Sequence, residues 1–410
     1  MKIIISHPTG NQFVKFATKA LLESNILDKY LTGIAVRESS TIVRVIKEFG
    51  RRGISKDLHV KTQGNPYREL GRHLFNKIGI AYLTRHEVGY FSVDQVYRQH
   101  DIFTSKHLDN QDAVYAYEDG ALETFRKAKQ LGIKTIYDLP IGYWRAGHEV
   151  YRHEREQYPE WASTLPGLLD SNEKLALKDE EIRLADVIVV ASSFTKDTLE
   201  QCPISPKNIT VIPYGFPFVD GERKYRKIKK GDKIKMLFVG GLSQRKGLAQ
   251  LDKALEGLEE KIELTVIGRK TVQDCKALNQ FVQKHNWIPS LPHHEILEQM
   301  KAHDVLVFPS LFEGFGLVIT EAMSVGTPVI TTLNTAGRDI IEHGENGWLC
   351  EAGSINDLKE TFLEIIENPN LIQIRGKKAL ETARKRPWSV FGREIVESVQ
   401  KSISDENGSN

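Results

Sequence analysis

Two carboxylates in the stretch "FPSLFEGFGLVITEAMSVGTPVI", residues 308–330, are spaced for work on hydroxyls. The apolar run ending at Pro309 and Ser310 predicts a buried strand, and "LVITEAMSVG" predicts a helix closed by Gly326. Glu313 therefore falls at a strand-to-helix turn. Glu321 falls about one and a half turns into the helix, roughly 7–8 Å along its axis. Gly314 and Gly316 remove side chains that would hold a ligand off the backbone. The N–H groups of Phe315, Gly316 and Leu317 open the helix, and such an end attracts an anion such as phosphate. Taken singly, Glu313 reads as a capping charge and Glu321 as an ordinary helix glutamate. Together they can accept hydrogen bonds from two separate sets of hydroxyls, such as those of a sugar and a ribose.

A second cluster supplies cations. In "FVGGLSQRKG" a strand ends at Gly240 and Gly241, and Arg245 and Lys246 precede the next helix. Cations at a helix start oppose its dipole. An exposed basic pair is one explanation, and a bound diphosphate is the other. The Gly-x-x-x-x-Gly-Lys-[Ser/Thr] pattern of a P-loop is not met. "SHPTGNQF" puts His7, Gly10 and Asn11 after the first strand, where Gly10 reads as a close-approach or turn glycine. "YDLPIGYWRAGHE" puts Asp138 at another strand's carboxyl end, directed at a cleft or capping a helix. No Asp-x-Asp occurs, so a carboxylate pair for a metal on a diphosphate is not evident, and the cationic work falls to Arg245 and Lys246. No metal and no cofactor are expected.

The elements that must position these residues alternate. "KIIIS", "YLTGIAV", "AVYAYE", "KTIYDLP", "DVIVVAS", "IKMLFVG", "IELTVIG", "DVLVFPS" and "TPVITT" are short apolar runs separated by helical patterns. This is the βαβ rhythm of an α/β protein with parallel sheets covered on both faces. Residues 213–235 break it with prolines, glycines and a basic run, and read as a domain join. The expected organisation is two doubly wound, Rossmann-like domains facing across a cleft. Residues 1–213 form the acceptor side and 214–387 the donor side. Residues 388–410 form a helix free to return to the N-terminal domain, followed by a disordered tail, "SDENGSN". In such sheets ligands bind beyond the carboxyl ends of the strands.

The chain has 410 residues with 56 Lys+Arg and 54 Asp+Glu, so net charge selects no partner. Nucleic acid is not among the expected partners. Residues 37–85 nevertheless hold 11 basic residues against 4 acidic ones. That stretch is either a solvated helical face or a patch for anionic lipid or phosphate, with Arg51 and Arg52 at its centre. Cys202, Cys275 and Cys350 are too dispersed for a disulfide framework or a zinc site. A reduced, cytoplasmic chain is expected, with any membrane contact peripheral and on the inner face. "MKIIISHPTG" is too short for a signal peptide, and no apolar run reaches the ~18–20 residues of a membrane span.

With these residues in view, the sequence resembles the retaining family-4 glycosyltransferases of GT-B fold. The Glu-x₇-Glu element from Glu313 to Glu321 carries most of the likeness, and "FVGGLSQRKG" comes second. "VIPYG", "DVIVVASSF" and "GENGWL" add to it, and it is strongest over residues 211–351. It implies hexosyl transfer from a nucleotide-sugar donor of UDP or GDP type, with anomeric configuration kept and no metal. The acceptor would be a glycan or a lipid-linked molecule, as in cell-envelope polysaccharide assembly. By resemblance, Glu313 and the amides after it hold the donor sugar, Glu321 the ribose, Arg245 and Lys246 the departing diphosphate, and the Gly10 loop covers the diphosphate. Arg269 and "SLPHHE" fall near the base. Three positions depart from many relatives: Gly240-Gly241 for Gly-Arg, Asp138 for a histidine, and Thr335-Ala336…Asp339 for a Gly-Gly…Glu loop. A nucleotide-sugar epimerase, a phosphorylase with lysine-bound pyridoxal, and a non-catalytic binding protein are the rival readings. No Gly-x-Gly-x-x-Gly follows a strand, which disfavours a dinucleotide oxidoreductase.

Overall fold

The computed structural model describes residues 1–37, 53–165, 170–219, 221–229 and 231–407. Arg51, Arg52 and the centre of the basic stretch lie outside the described residues.

The described residues form fifteen short strands, and the nine apolar runs supply the longest of them. β1 (Ile3–His7), β2 (Leu27–Thr32), β5 (Thr62–Gly64), β6 (Ala113–Tyr117), β7 (Lys134–Leu139), β8 (Val187–Val190) and β9 (Ile209–Val211) make a seven-stranded sheet. Its order is β5-β2-β1-β6-β7-β8-β9, and every pairing is parallel. β3 (Val36–Arg37) and β4 (Gly53–Ile54) form a small parallel pair beside it. After residues 212–233 the second sheet begins. It holds β10 (Ile234–Val239), β11 (Ile262–Ile267), β12 (Asn286–Ile288), β13 (Val305–Phe308), β14 (Val329–Thr332) and β15 (Gly347–Cys350) in the order β12-β11-β10-β13-β14-β15.

Parallel strands flanked by helices on both faces need apolar residues throughout rather than alternation. All residues of β1, β8, β13 and β14 are buried, and Ile3, Ile4 and Ile5 are sealed from solvent. Each such side chain contributes about 1.5–3 kcal/mol. The two-domain α/β architecture expected from the sequence is thus present.

Both strand orders reverse once, between β1 and β6 in the first sheet and between β10 and β13 in the second. A crevice forms outside the carboxyl ends of the strands where the order reverses. The loops there are the ones carrying His7–Asn11, Gly240–Lys246 and Pro309–Gly316.

The last helix, Trp388–Asn407, crosses back and packs on the Gln12–Glu23 helix of the first domain. Trp388 stacks on Phe16 with ring centroids 4.8 Å apart and planes 6° from parallel. Gly392 gives way to Ala20, since a Cβ there would lie 2.8 Å from the alanine methyl. The start of the tail expected to be disordered, residues 404–407, is instead the last turn of this helix. Backbone hydrogen bonding carried from the packed turns before it outweighs the polar composition. Residues 408–410 lie outside the described set.

Candidate active site

Two loops meet at the switch point of the second sheet. After β10 the chain runs through Gly240 and Gly241 into a short 3-10 turn, Gln244–Lys246, which ends at Gly247. Gly247 has a left-handed φ of 72°, and a Cβ there would lie 2.1 Å from the carbonyl oxygen of Pro309. The basic turn is thereby pressed against the loop that follows β13. Leu311 N–H donates to Arg245 O at 2.9 Å, and Asn334 Nδ2 donates to Leu311 O at 2.9 Å. Glu313 N–H donates to Asn334 O at 3.2 Å. Glu313 is therefore held from both sides.

The side chains converge. Lys246 Nζ donates to Glu313 Oε2, and Arg245 Nη1 reaches the same oxygen at 3.0 Å and Phe312 O at 2.7 Å. Ser310 Oγ stands 3.5 Å from that carboxylate. The Lys246 ammonium also lies 4.6 Å above the Phe308 ring. Burial alone would raise the Glu313 pKa, but the Lys246 and Arg245 charges outweigh it and hold the carboxyl below its usual range. Burial pushes Lys246 the other way, down to about 8. Glu313 opposes that shift and Arg245 adds to it.

This triad faces a cavity of about 450 Å³ between the domains. Gly240, Gly241, Phe315, Gly316 and Leu317 line it with Arg245, Lys246 and Glu313. The Leu317–Ser324 helix starts there at Gly316 with no side-chain cap, so its first amides lie at the cavity wall. Two cations against one carboxylate, beside an uncapped helix N-terminus, leave the cavity net positive and suited to an anion.

Five expected site residues lie outside the lining of this cavity. Gly314 does not admit a ligand. Its carbonyl accepts hydrogen bonds from Ser192 Oγ at 2.6 Å and Thr195 Oγ1 at 3.1 Å, and its Cα abuts Pro140 and Ile141 of the first domain. Asp138 lies beneath the cleft, not on its wall. It accepts from Tyr115 OH at 3.0 Å, and burial raises its carboxyl to about 7, with the Tyr115 hydrogen bond opposing and Glu118 reinforcing the shift. Glu321 is outside the cavity lining, its Oε1 2.9 Å from His293 Nε2 of the neighbouring helix. Arg269 is exposed, and its carbonyl accepts from Leu242 N–H at 2.9 Å. Gly10, in a left-handed turn with φ 59°, donates to His7 Nδ1 at 2.9 Å and shapes the loop before the first helix. Asp339, in the loop that departs from the family pattern, reaches across the interface to accept from Ser193 N–H at 2.9 Å.

Sequence reasoning missed the aromatic wall. Phe13, Tyr117 and Tyr214 line the first-domain side. Phe13 stacks on Tyr214 at 4.8 Å and 6°, and Tyr214 packs on Phe315 of the second domain, also at 4.8 Å. The tyrosine of "VIPYG" was the available signal, because an aromatic residue in a domain join contacts both halves.

His86, Glu87 and Asp170 bring ligand-type atoms within 4.8 Å of one another. The Lys174 ammonium already lies 3.1 Å from Asp170, and none of the three lines the cavity. All three cysteines are free and buried.

Two doubly wound sheets facing across a cleft, with the switch-point loops opposed, define the GT-B glycosyltransferase fold. Residues 221–384 match the family described as Glycosyl transferases group 1. An uncharacterised glycosyltransferase of Methanocaldococcus jannaschii is 32% identical over 232 residues, covering 54% of this chain and 61% of that protein. Glycogen synthase of Mycobacterium tuberculosis is 26% identical over 67% of this chain and 64% of its own length. The match thus spans less than two thirds of either relative. Sucrose-phosphate synthase from Thermosynechococcus elongatus superposes with a TM-score of 0.67 at 16% identity, over 99% of this chain and 100% of its own. The Anabaena protein HepE in complex with UDP-glucose gives 0.62 at 16% identity, over 98% and 100%. At such identities the likeness is one of fold.

Among the described residues, no helix is long and apolar enough to cross a membrane.

Proposed function

We propose that the chain is a retaining, metal-independent hexosyltransferase that takes a sugar from a nucleoside-diphosphate sugar and passes it to a glycan or lipid-linked acceptor. The observation that carries this reading is the convergence of Arg245, Lys246 and Glu313 on one cavity beside an uncapped helix N-terminus. Cleaving a sugar–phosphate bond leaves negative charge on the diphosphate and positive character on the sugar ring. Arg245, Lys246 and the amides at Gly316 and Leu317 stabilise the first. Glu313 holds the two cations in position in the free protein and accepts from a sugar hydroxyl in the complex. Glu321 serves the ribose, at the far end of the donor. Retention and the acceptor class rest on the sequence resemblance.

A thermal-shift panel of UDP, GDP and ADP with their sugars tests the donor. UDP heads it, since the Anabaena fold relative was solved with UDP and with UDP-glucose. The cognate ligand at about 100 times its dissociation constant is expected to add about 2.7 kcal/mol of stability. A panel with no shift beyond that of plain phosphate would refute the reading.

The pH dependence of binding follows from Lys246, whose pKa in the free protein is about 8. A bound diphosphate raises that value. Between the free and bound pKa the complex therefore holds one proton more than the free protein, and affinity falls as pH rises through that window. UDP titrated calorimetrically is expected to bind about tenfold more weakly for each pH unit above 8. Lys246→Met should bind weakly and lose that slope. An equal slope in the variant would remove Lys246 from the diphosphate contact.

A further inference from the structure

Seventeen large apolar side chains are strongly exposed among the described residues, and ten of them fall between positions 60 and 93. The helix Tyr67–Lys77 explains the clustering. Its only buried side chain is Glu69, while Tyr67, Leu70 and Leu74 are 61%, 44% and 54% exposed. Ile78, at the helix end, is 54% exposed and continues the same stripe, because positions i, i+3, i+7 and i+11 share one face. Ile80 and Tyr82 extend it, with Tyr82 81% exposed. A helix at a protein surface ordinarily turns its apolar stripe inward. This one is turned outward.

The charges around the stripe have one sign. Lys77 and Arg85 are exposed and Arg72 partly so. The Arg68 guanidinium lies 3.4 Å above the ring of exposed Tyr90. The two acids of the stretch are occupied or hidden. Glu69 is fully buried, and Glu87 accepts from Ser171 N–H at 2.7 Å. An apolar stripe with aromatic residues and a positive margin matches the interface of an anionic bilayer. The helix that bears the stripe is anchored beside the loop that follows β1. Glu69 lies against Gly33, in the turn directly after β2, and Gly33 N–H donates to Pro8 O in the loop after β1.

We propose that this face docks on an anionic membrane surface and turns the mouth of the cleft towards the bilayer, so that the acceptor is drawn from lipid. The acceptor part rests on the glycosyltransferase reading, and the docking part does not.

Flotation of the full-length protein with phosphatidylcholine vesicles, with and without phosphatidylglycerol, tests it. The protein is expected to float with the anionic vesicles and far less with neutral ones. Leu74→Asp with Ile78→Asp should abolish flotation. Lys77→Gln with Arg85→Gln should weaken it by roughly fivefold per cation. All of these side chains face solvent, so the variants should melt like the parent and keep the same UDP-induced thermal shift. Failure of the parent protein to float at low salt, or unchanged flotation of the aspartate variant, would overturn the proposal. So would light scattering that shows a dimer which Leu74→Asp dissociates, because the stripe would then belong to a second copy. Loss of the UDP shift in every protein, with flotation intact, would strike the donor reading alone.

Discussion

Lys246→Met is expected to lower kcat by about 10²–10³ and to leave the melting temperature unchanged or slightly raised. The rate term follows from position. Lys246 is one of two side-chain cations at the cavity, and removing one preorganised group that stabilises developing charge typically costs ~10²–10³. The stability term follows from the pKa. Burial brings Lys246 down to about 8 despite Glu313. At pH 7 the charged lysine is thus less favourable in the folded chain than in the unfolded one. Methionine keeps the stem over Phe308 and removes the desolvated charge. Glu313 is not stranded, because Arg245 Nη1 remains 3.0 Å from it. Breaking a buried ion pair outright is costly, but here a second cation stays. Steady-state kinetics beside a thermal melt separate the two effects. A large fall in melting temperature with a normal kcat would mean that the triad is structural scaffolding.

Much of the frame was legible because parallel strands buried on both faces announce themselves as apolar runs. "VLVF" and "VIVV" have few alternatives. The strands not foreseen are β4, β5, β9, β12 and β15, each of two to four residues. β9 is only half-buried and β12 reads Asn-Trp-Ile, so neither stands out from a loop. Residue type singled out Arg245, Lys246 and Glu313, because cations before a helix conflict with local electrostatics and need a partner, and the structure brings the three side chains together. Residue type did not give what each glycine approaches. Gly316 meets the cavity and Gly314 meets the other domain, and the two are separated by one residue. Asp138 lies off the cavity lining for a different reason. A strand's carboxyl end points to the crevice on average, but whether a given side chain emerges depends on its neighbours. Tyr117 and Pro140 take the lining positions around it. The exposed stripe at residues 67–78 was legible only as charge. Its apolar half reads as core until the structure shows which face is turned out.

Gly314→Ala is expected to abolish most transfer while sparing donor binding. A Cβ at Gly314 would lie 1.8 Å from Pro140 O and 2.7 Å from Ile141 Cα, where ordinary contact begins near 3.4 Å. Both obstacles are backbone of the other domain, so no rotamer change relieves them. The two halves must part or the Glu313 loop must shift. Either disrupts the bonds from Ser192 and Thr195 to the Gly314 carbonyl, and strains those from Ser193 to Asp339 and from Arg338 to Asp197. The sheets themselves are untouched, since no strand residue is involved. Arg245, Lys246 and the Leu317–Ser324 helix all belong to the second domain, so the proposed diphosphate site should survive. What is lost is alignment with the first-domain wall of Phe13, Tyr117 and Tyr214. A misplacement of about 1 Å costs on the order of 10² in rate. The expected result is kcat reduced at least about 10²-fold, a UDP thermal shift close to that of the parent protein, and a larger radius of gyration in solution scattering. If the variant turns over normally, the contact at Gly314 does not govern closure, and catalysis does not require the domain arrangement described above.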